Sequence, residues 1–219
     1  MTRILPILLA AALLIGGGAF YMSQNNGSVP GVNVAEAQDT DAAVEPAKDM
    51  VLGDENAPIT MIEYASFTCP HCANFHEDIF KKLKENYVDT GKVKFIHREV
   101  YFDRFGLWAG MIARCGGDDR YFGLTSMIYA GQKEWIADGD PSLILDNLRK
   151  LGRTAGMTDD QMNACLQDEA MAQSLVAAYQ TNAAADEINA TPSFVIDGTK
   201  YSNMSYEDFA ALIDEKLGS

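Results

Sequence analysis

Cys69-Pro70-His71-Cys72 is the stretch with the most evident chemistry. Two thiols at this spacing on a helix start can close into a small disulfide ring and reopen. The helix end favours a thiolate, because its unpaired backbone N–H groups carry partial positive charge. Pro70 has no N–H to lose, and its φ suits the first helical turn. His71 adds a polarisable, protonatable ring beside the first sulfur. A redox pair is therefore expected here. A metal-binding alternative would use Cys69, Cys72 and His76, which have ligand spacing. It lacks a second Cys or His pair to close a tetrahedral site. Haem attachment requires a histidine directly after the second cysteine, and Ala73 stands there.

Such a pair needs elements to hold it. Thr60–Ala65 reads as a buried strand, and Cys72, Phe75, Ile79, Leu83 and Tyr87 recur at helical spacing, predicting a helix over 70–89. Gly91 stops that helix, and 93–100 reads as a second strand, parallel to the first across the helical crossover. Apolar helical patterns follow over 105–116 and 121–136, and Asp140-Pro141 opens a short helix ending at Gly152. Thr158-x-x-Gln161 is a capping box, and Ala-rich helix continues to about Glu187. The period then changes to a strand over 193–196, an Asp197-Gly198 turn and a return over 199–201. Ser205 caps a last helix, with Met204 and Phe209 as a hydrophobic staple. The order is βαβ, a helical insertion of about eighty residues, then ββα.

At 219 residues and 47% hydrophobic content, the chain can bury one domain with an inserted subdomain. A net charge of −14 argues against nucleic-acid or anionic-membrane partners. Arg3 precedes an apolar run to about Tyr21, read as a signal peptide or N-terminal membrane anchor over 1–22. Ala35-Glu36-Ala37 resembles a cleavage site. Residues 23–49, polar and without apolar period, read as a flexible leader. Either fate of the N-terminus puts the domain outside the cytosol, where disulfides persist.

In that order of elements, the chain resembles the DsbA family of periplasmic dithiol oxidases, on the thioredoxin fold with an inserted helical subdomain. The resemblance covers about residues 50–218 and rests on Cys-Pro-His-Cys, on Glu63 six residues before it, and on Thr191-Pro192 just before a strand. It implies an α/β fold: thioredoxin-like parts at 50–102 and 188–219, and the helical subdomain at 103–187. It implies that Cys69 is the nucleophile and Cys72 the resolving thiol. Backbone amides and the His71 imidazole would lower the pKa of Cys69. Glu63, costly within an apolar strand unless paired or protonated, would accept a proton from Cys72; the alternative is a salt bridge with Lys94 or Lys200. Thr191-Pro192 would be the cis-proline loop that contacts substrate, although threonine departs from the valine common in the best-known oxidases. His76 and His97 read as ordinary polar positions, and Cys115 and Cys165 as a structural disulfide or two buried thiols.

The function implied is an extracytoplasmic thiol–disulfide oxidoreductase that donates the Cys69–Cys72 disulfide to folding exported proteins. It would need no cofactor or metal, and a membrane partner of the DsbB type would reoxidise it. The location implied is periplasmic, with or without an inner-membrane tether. A reductase or isomerase, and the metal-binding module, are the alternatives.

Overall fold

Ile59, Met61 and Glu63 alternate with Thr60, Ile62 and Tyr64 along β2 (Ile59–Ala65), so this one strand supplies both faces of a sheet. The computed structural model describes residues 44–218. The predicted signal or anchor (1–22) and the leader as far as residue 43 lie outside the described residues. The leader's last residues depart from the expectation of a free tether. The Ala47 N–H bonds the Ser174 carbonyl, and Arg98 pairs in bidentate fashion with Asp49. Arg114 holds the Lys48 carbonyl, and Lys48 itself pairs with Asp118. These polar contacts have no apolar period, so pattern reading could not find them. They lead into β1 (Met50–Leu52), a strand the sequence analysis did not separate.

From β2 the chain enters a helical stretch over 70–88, α1, and returns as β3 (Val93–Glu99). The stretch begins as α-helix at Pro70–Asn74 and has π-helical turns at Phe75–Phe80 and Lys84–Val88. The insertion holds α2 (Arg104–Cys115), α3 (Asp118–Ala130), α4 (Gln132–Ile136), α5 (Pro141–Thr154), α6 (Asp159–Leu166) and α7 (Glu169–Ala185). Capping residues set several starts. Asp103, Asp140 and Asp168 each accept backbone N–H bonds, and Thr158 with Gln161 forms the predicted capping box. The chain closes with β4 (Ser193–Ile196), β5 (Thr199–Ser202) and α8 (Tyr206–Leu217). Asp197 and Gly198 both have positive φ, which matches the turn type that joins two strands directly.

The sheet order is β1-β3-β2-β4-β5, with β2 and β3 parallel and the other pairs antiparallel. One face packs Ile59, Met61, Phe95, Phe194 and Ile196 against α1 and α8, through Phe75, Phe80, Leu83, Phe209 and Ile213. The other face meets α7 through Tyr64, Val195, Tyr179 and Ala183. The helical core is continuous with the end of β2, since Ala65, Phe67 and Cys72 pack with Ile112, Tyr121, Ile128 and Trp135. Cys115 on α2 and Cys165 on α6 are joined in a disulfide, with Cα atoms 6.0 Å apart. The end of β2 is thus one of the places where the sheet and the insertion meet, and the two free thiols lie there.

Candidate active site

Cys69 occupies the N-cap position of α1, with Pro70 in the first turn. Its sulfur is half-buried, whereas Cys72, one turn further, is fully buried. The Cys69 thiol is held down to about 5. The largest cause is a hydrogen bond from the Cys72 thiol. Burial opposes it, and the Thr191 side chain and the amides of Cys72 and His71 add to it. Burial pushes the Cys72 thiol far upward, helped by the bond it gives Cys69 and by the Glu63 charge. At neutral pH the pair therefore holds one proton, on Cys72, and Cys69 is the available nucleophile.

The chain reaches this site from four directions. Thr191-Pro192, a cis peptide, lies against Cys69; Cys69 Sγ is 3.5 Å from the Thr191 carbonyl oxygen, to which it donates when it is protonated. The Cys69 N–H bonds the Ser66 carbonyl. Thr68 donates to Asp103, the cap of α2, at 2.8 Å. Gln132, buried at the start of α4, donates its amide to the carbonyls of Phe67 at 2.8 Å and Cys69 at 2.9 Å. Sequence reading missed Gln132. No motif marks it, because its partners are backbone atoms more than sixty residues away.

Behind Cys72, parallel register sets Glu63 on β2 directly beside His97 on β3. Both point to the α1 face, like Met61 and Phe95 before them. His76 comes from the π-helical turn of α1, and its Nε2 lies 2.9 Å from Glu63 Oε2. This corrects the expectation of ordinary polar histidines, and it gives Glu63 a histidine partner in place of Lys94 or Lys200. His76 is 5% exposed, and Glu63 and His97 are fully buried. His76 follows Cys72 by four residues, and that helical spacing was the one available signal.

His97 extends the network. Tyr121 donates to Glu99, so the His97 Nδ1–H donates to Tyr121 at 2.7 Å and Nε2 accepts from Tyr129 at 3.1 Å. Burial lowers His97 to about 4, so it is neutral near pH 7. Glu99 is paired in turn with Arg114 at 2.7 Å. Burial alone would raise Glu99, but the guanidinium overrides it and holds the carboxyl below its ordinary value.

Glu63, His76 and His97 are a ligand set of the type a divalent ion uses. Both His97 nitrogens are already bonded to tyrosines, however, and one Glu63 oxygen is bonded to His76, so of the trio's ligand atoms only Glu63 Oε1 and the His76 Nδ1 are without a partner. The sulfurs of Cys69 and Cys72 are not part of that group, and His76 turns to Glu63 instead of joining them. The Cys69, Cys72 and His76 metal alternative therefore has no support among the described residues. His71 is exposed and supplies Cys69 with its backbone N–H.

Residues 45–215 match the family profile described as thioredoxin. A Rickettsia bellii protein named for protein-disulfide oxidoreductase activity is 35% identical over 170 residues, covering 77% of this chain and 64% of that relative. The chain thus spans less than two-thirds of the length of this Rickettsia relative. The disulfide bond formation protein D of Bacillus subtilis is 26% identical over 176 residues, 76% of each chain. The crystal structure of Wolbachia pipientis alpha-DsbA1 superposes with a TM-score of 0.73 at 30% identity, covering 81% of this chain and 94% of that one.

Proposed function

This chain belongs to the thioredoxin family, in its DsbA-like branch, and from that premise we propose that it is a protein dithiol–disulfide oxidoreductase that oxidises exported proteins. The single observation that carries the reading is the asymmetry of the two thiols. Cys69 is half-buried and held near 5, whereas Cys72 is sealed and protonated. A stabilised thiolate favours the reduced form, and so makes the disulfide a strong oxidant.

In the oxidised enzyme, a substrate thiolate attacks Cys69 Sγ. The Cys69–Cys72 bond breaks, and Cys72 leaves and takes up a proton. A second substrate thiolate then attacks the substrate sulfur of the mixed disulfide and releases Cys69 as a thiolate. The substrate has lost two electrons and the Cys69–Cys72 pair has gained them. Thr191 and Pro192, lying against Cys69, are suited to align the incoming chain. Reoxidation belongs to a membrane partner of the DsbB type, and the site of action is the periplasm, with the N-terminus as signal or tether. Among the described residues no helix is long and apolar enough to cross a membrane.

The test mixes oxidised protein with a reduced two-cysteine peptide and follows the redox equilibrium with glutathione. Stoichiometric peptide oxidation by the wild type, and none by Cys69→Ser, is expected. A potential near that of thioredoxin, about −270 mV, would instead favour the reductase or isomerase reading.

A further inference from the structure

The buried pair of Glu63 and His76 continues past the site just described. Glu63 Oε2 is bonded to His76, while its Oε1 and the His76 Nδ1 are buried without a hydrogen-bond partner in the protein. A carboxylate so placed cannot exchange protons directly with solvent, because it is fully buried. His76 is different. It lines a cavity of about 110 Å³ together with Glu77, Lys81, Lys84 and Ser126, and Glu77 and Lys81 are exposed at its edge. That volume exceeds what one water requires. We propose that His76 is the relay that carries protons between Glu63 and solvent by way of this cavity, so that Cys72 can gain or lose its proton without the site opening.

This rests on the oxidoreductase reading and adds an exit to it. In the mixed disulfide of Cys69 with an oxidant, Cys72 Sγ–H gives its proton to Glu63 and attacks Cys69 Sγ. The Cys69–Cys72 bond forms, and the bond from Cys69 to the oxidant sulfur breaks. The oxidant thiol leaves as a thiolate with the electron pair. The proton on Glu63 passes to His76 Nε2, while the opposite ring nitrogen releases one to water in the cavity. When the disulfide is reduced, the same path runs inward.

The surroundings leave this task to His76. His97 faces it from β3 with rings 5.8 Å apart, but both its nitrogens are held by tyrosines. Tyr129 from α3 stacks on His76 at 4.1 Å and bonds His97. Cys72 and Glu63 lie on the inner side, and Glu77, Lys81 and Lys84 are the charged groups on the cavity side. Phe75 and Phe80 pack their rings against the imidazole, and Phe80 also lines the cavity.

The relay makes the two steps of one reaction separable. Reduced full-length protein is mixed with excess oxidised glutathione, quenched in acid at intervals, and its species are weighed. Attack by Cys69 depends on glutathione concentration, while the following attack by Cys72 does not. His76→Gln, which can still bond Glu63, is expected to slow the second step by about tenfold or more and leave the first unchanged. In this variant the second step should rise about tenfold per pH unit, as hydroxide replaces the relay. Imidazole added to His76→Ala should restore part of the lost rate through the vacated cavity. Equal slowing of both steps without rescue by imidazole, or an unaltered second step in His76→Gln, would overturn the proposal. A wild type that completes both steps with glutathione yet oxidises no peptide would refute the oxidase reading and leave the relay standing.

Discussion

Cys69 and Cys72 are separated by two residues, yet their protons are bound very differently. The helix terminus explains only part of this, because the backbone amides rank below the Cys72 thiol among the groups that stabilise the Cys69 thiolate. Each thiol therefore sets the other: the bond that lowers Cys69 also raises Cys72. His71 contributes an N–H that any non-proline residue would supply. Thiolate absorbance of the reduced wild type should accordingly titrate with a midpoint near 5. Cys72→Ala should move that midpoint upward by more than His71→Ala does. A wild-type midpoint near the free-thiol value of about 8.5, or a larger shift from His71→Ala, would contradict this ranking.

Among the elements, α4 is short, yet it ties the insertion to the active-site turn. Gln132 spans the junction and satisfies two carbonyls that precede α1, while Asp103 at the start of α2 holds Thr68 from the other side. The turn bearing Cys69 is thus braced by the insertion as well as by β2. Replacing Gln132 with leucine removes both donors and leaves a buried carbonyl unpaired. Such a loss costs about 1–3 kcal/mol, so the urea midpoint of Gln132→Leu should fall by a corresponding amount. Alkylation of Cys69 at fixed pH should change as well, because its carbonyl is one of the two released. A variant as stable as the wild type would mean that the brace is redundant.

For the molecule as a whole, the redox state of one pair is linked to global stability through protons. The Cys69 value falls from an ordinary 9.0 in the unfolded chain to about 5 in the folded, reduced protein. The unfolded chain binds the proton more tightly, so reduced-state stability rises with pH. This contribution is complete above the unfolded value and lost as pH falls through about 5. Cys72, raised by burial, keeps its proton over that window and does not oppose the trend. The oxidised protein has neither proton to exchange and serves as the control. The difference in urea midpoint between reduced and oxidised protein should therefore widen from about pH 5 to about pH 8, with the reduced form the more stable. A difference that stays flat with pH would show that the Cys69 thiolate is not stabilised by folding.

Local signals gave what was legible in the chain. The CxxC at a helix start, the capping box of Thr158 and Gln161, the turn at Asp197-Gly198 and the order of strands and helices each depend on residues a few positions apart. Steric and hydrogen-bond preferences act directly at that range. The resemblance then supplied Glu63 and Thr191-Pro192 as members of the site. What remained hidden depended on distant segments meeting. Register between β2 and β3 put His97 beside Glu63, and the π-helical turn of α1 brought His76 onto the carboxylate. Folding of the insertion carried Gln132 to Cys69. A lone histidine or glutamine has the same local pattern whether it faces water or a buried partner. Its chemistry was decided only when the tertiary structure removed the water and chose the neighbour.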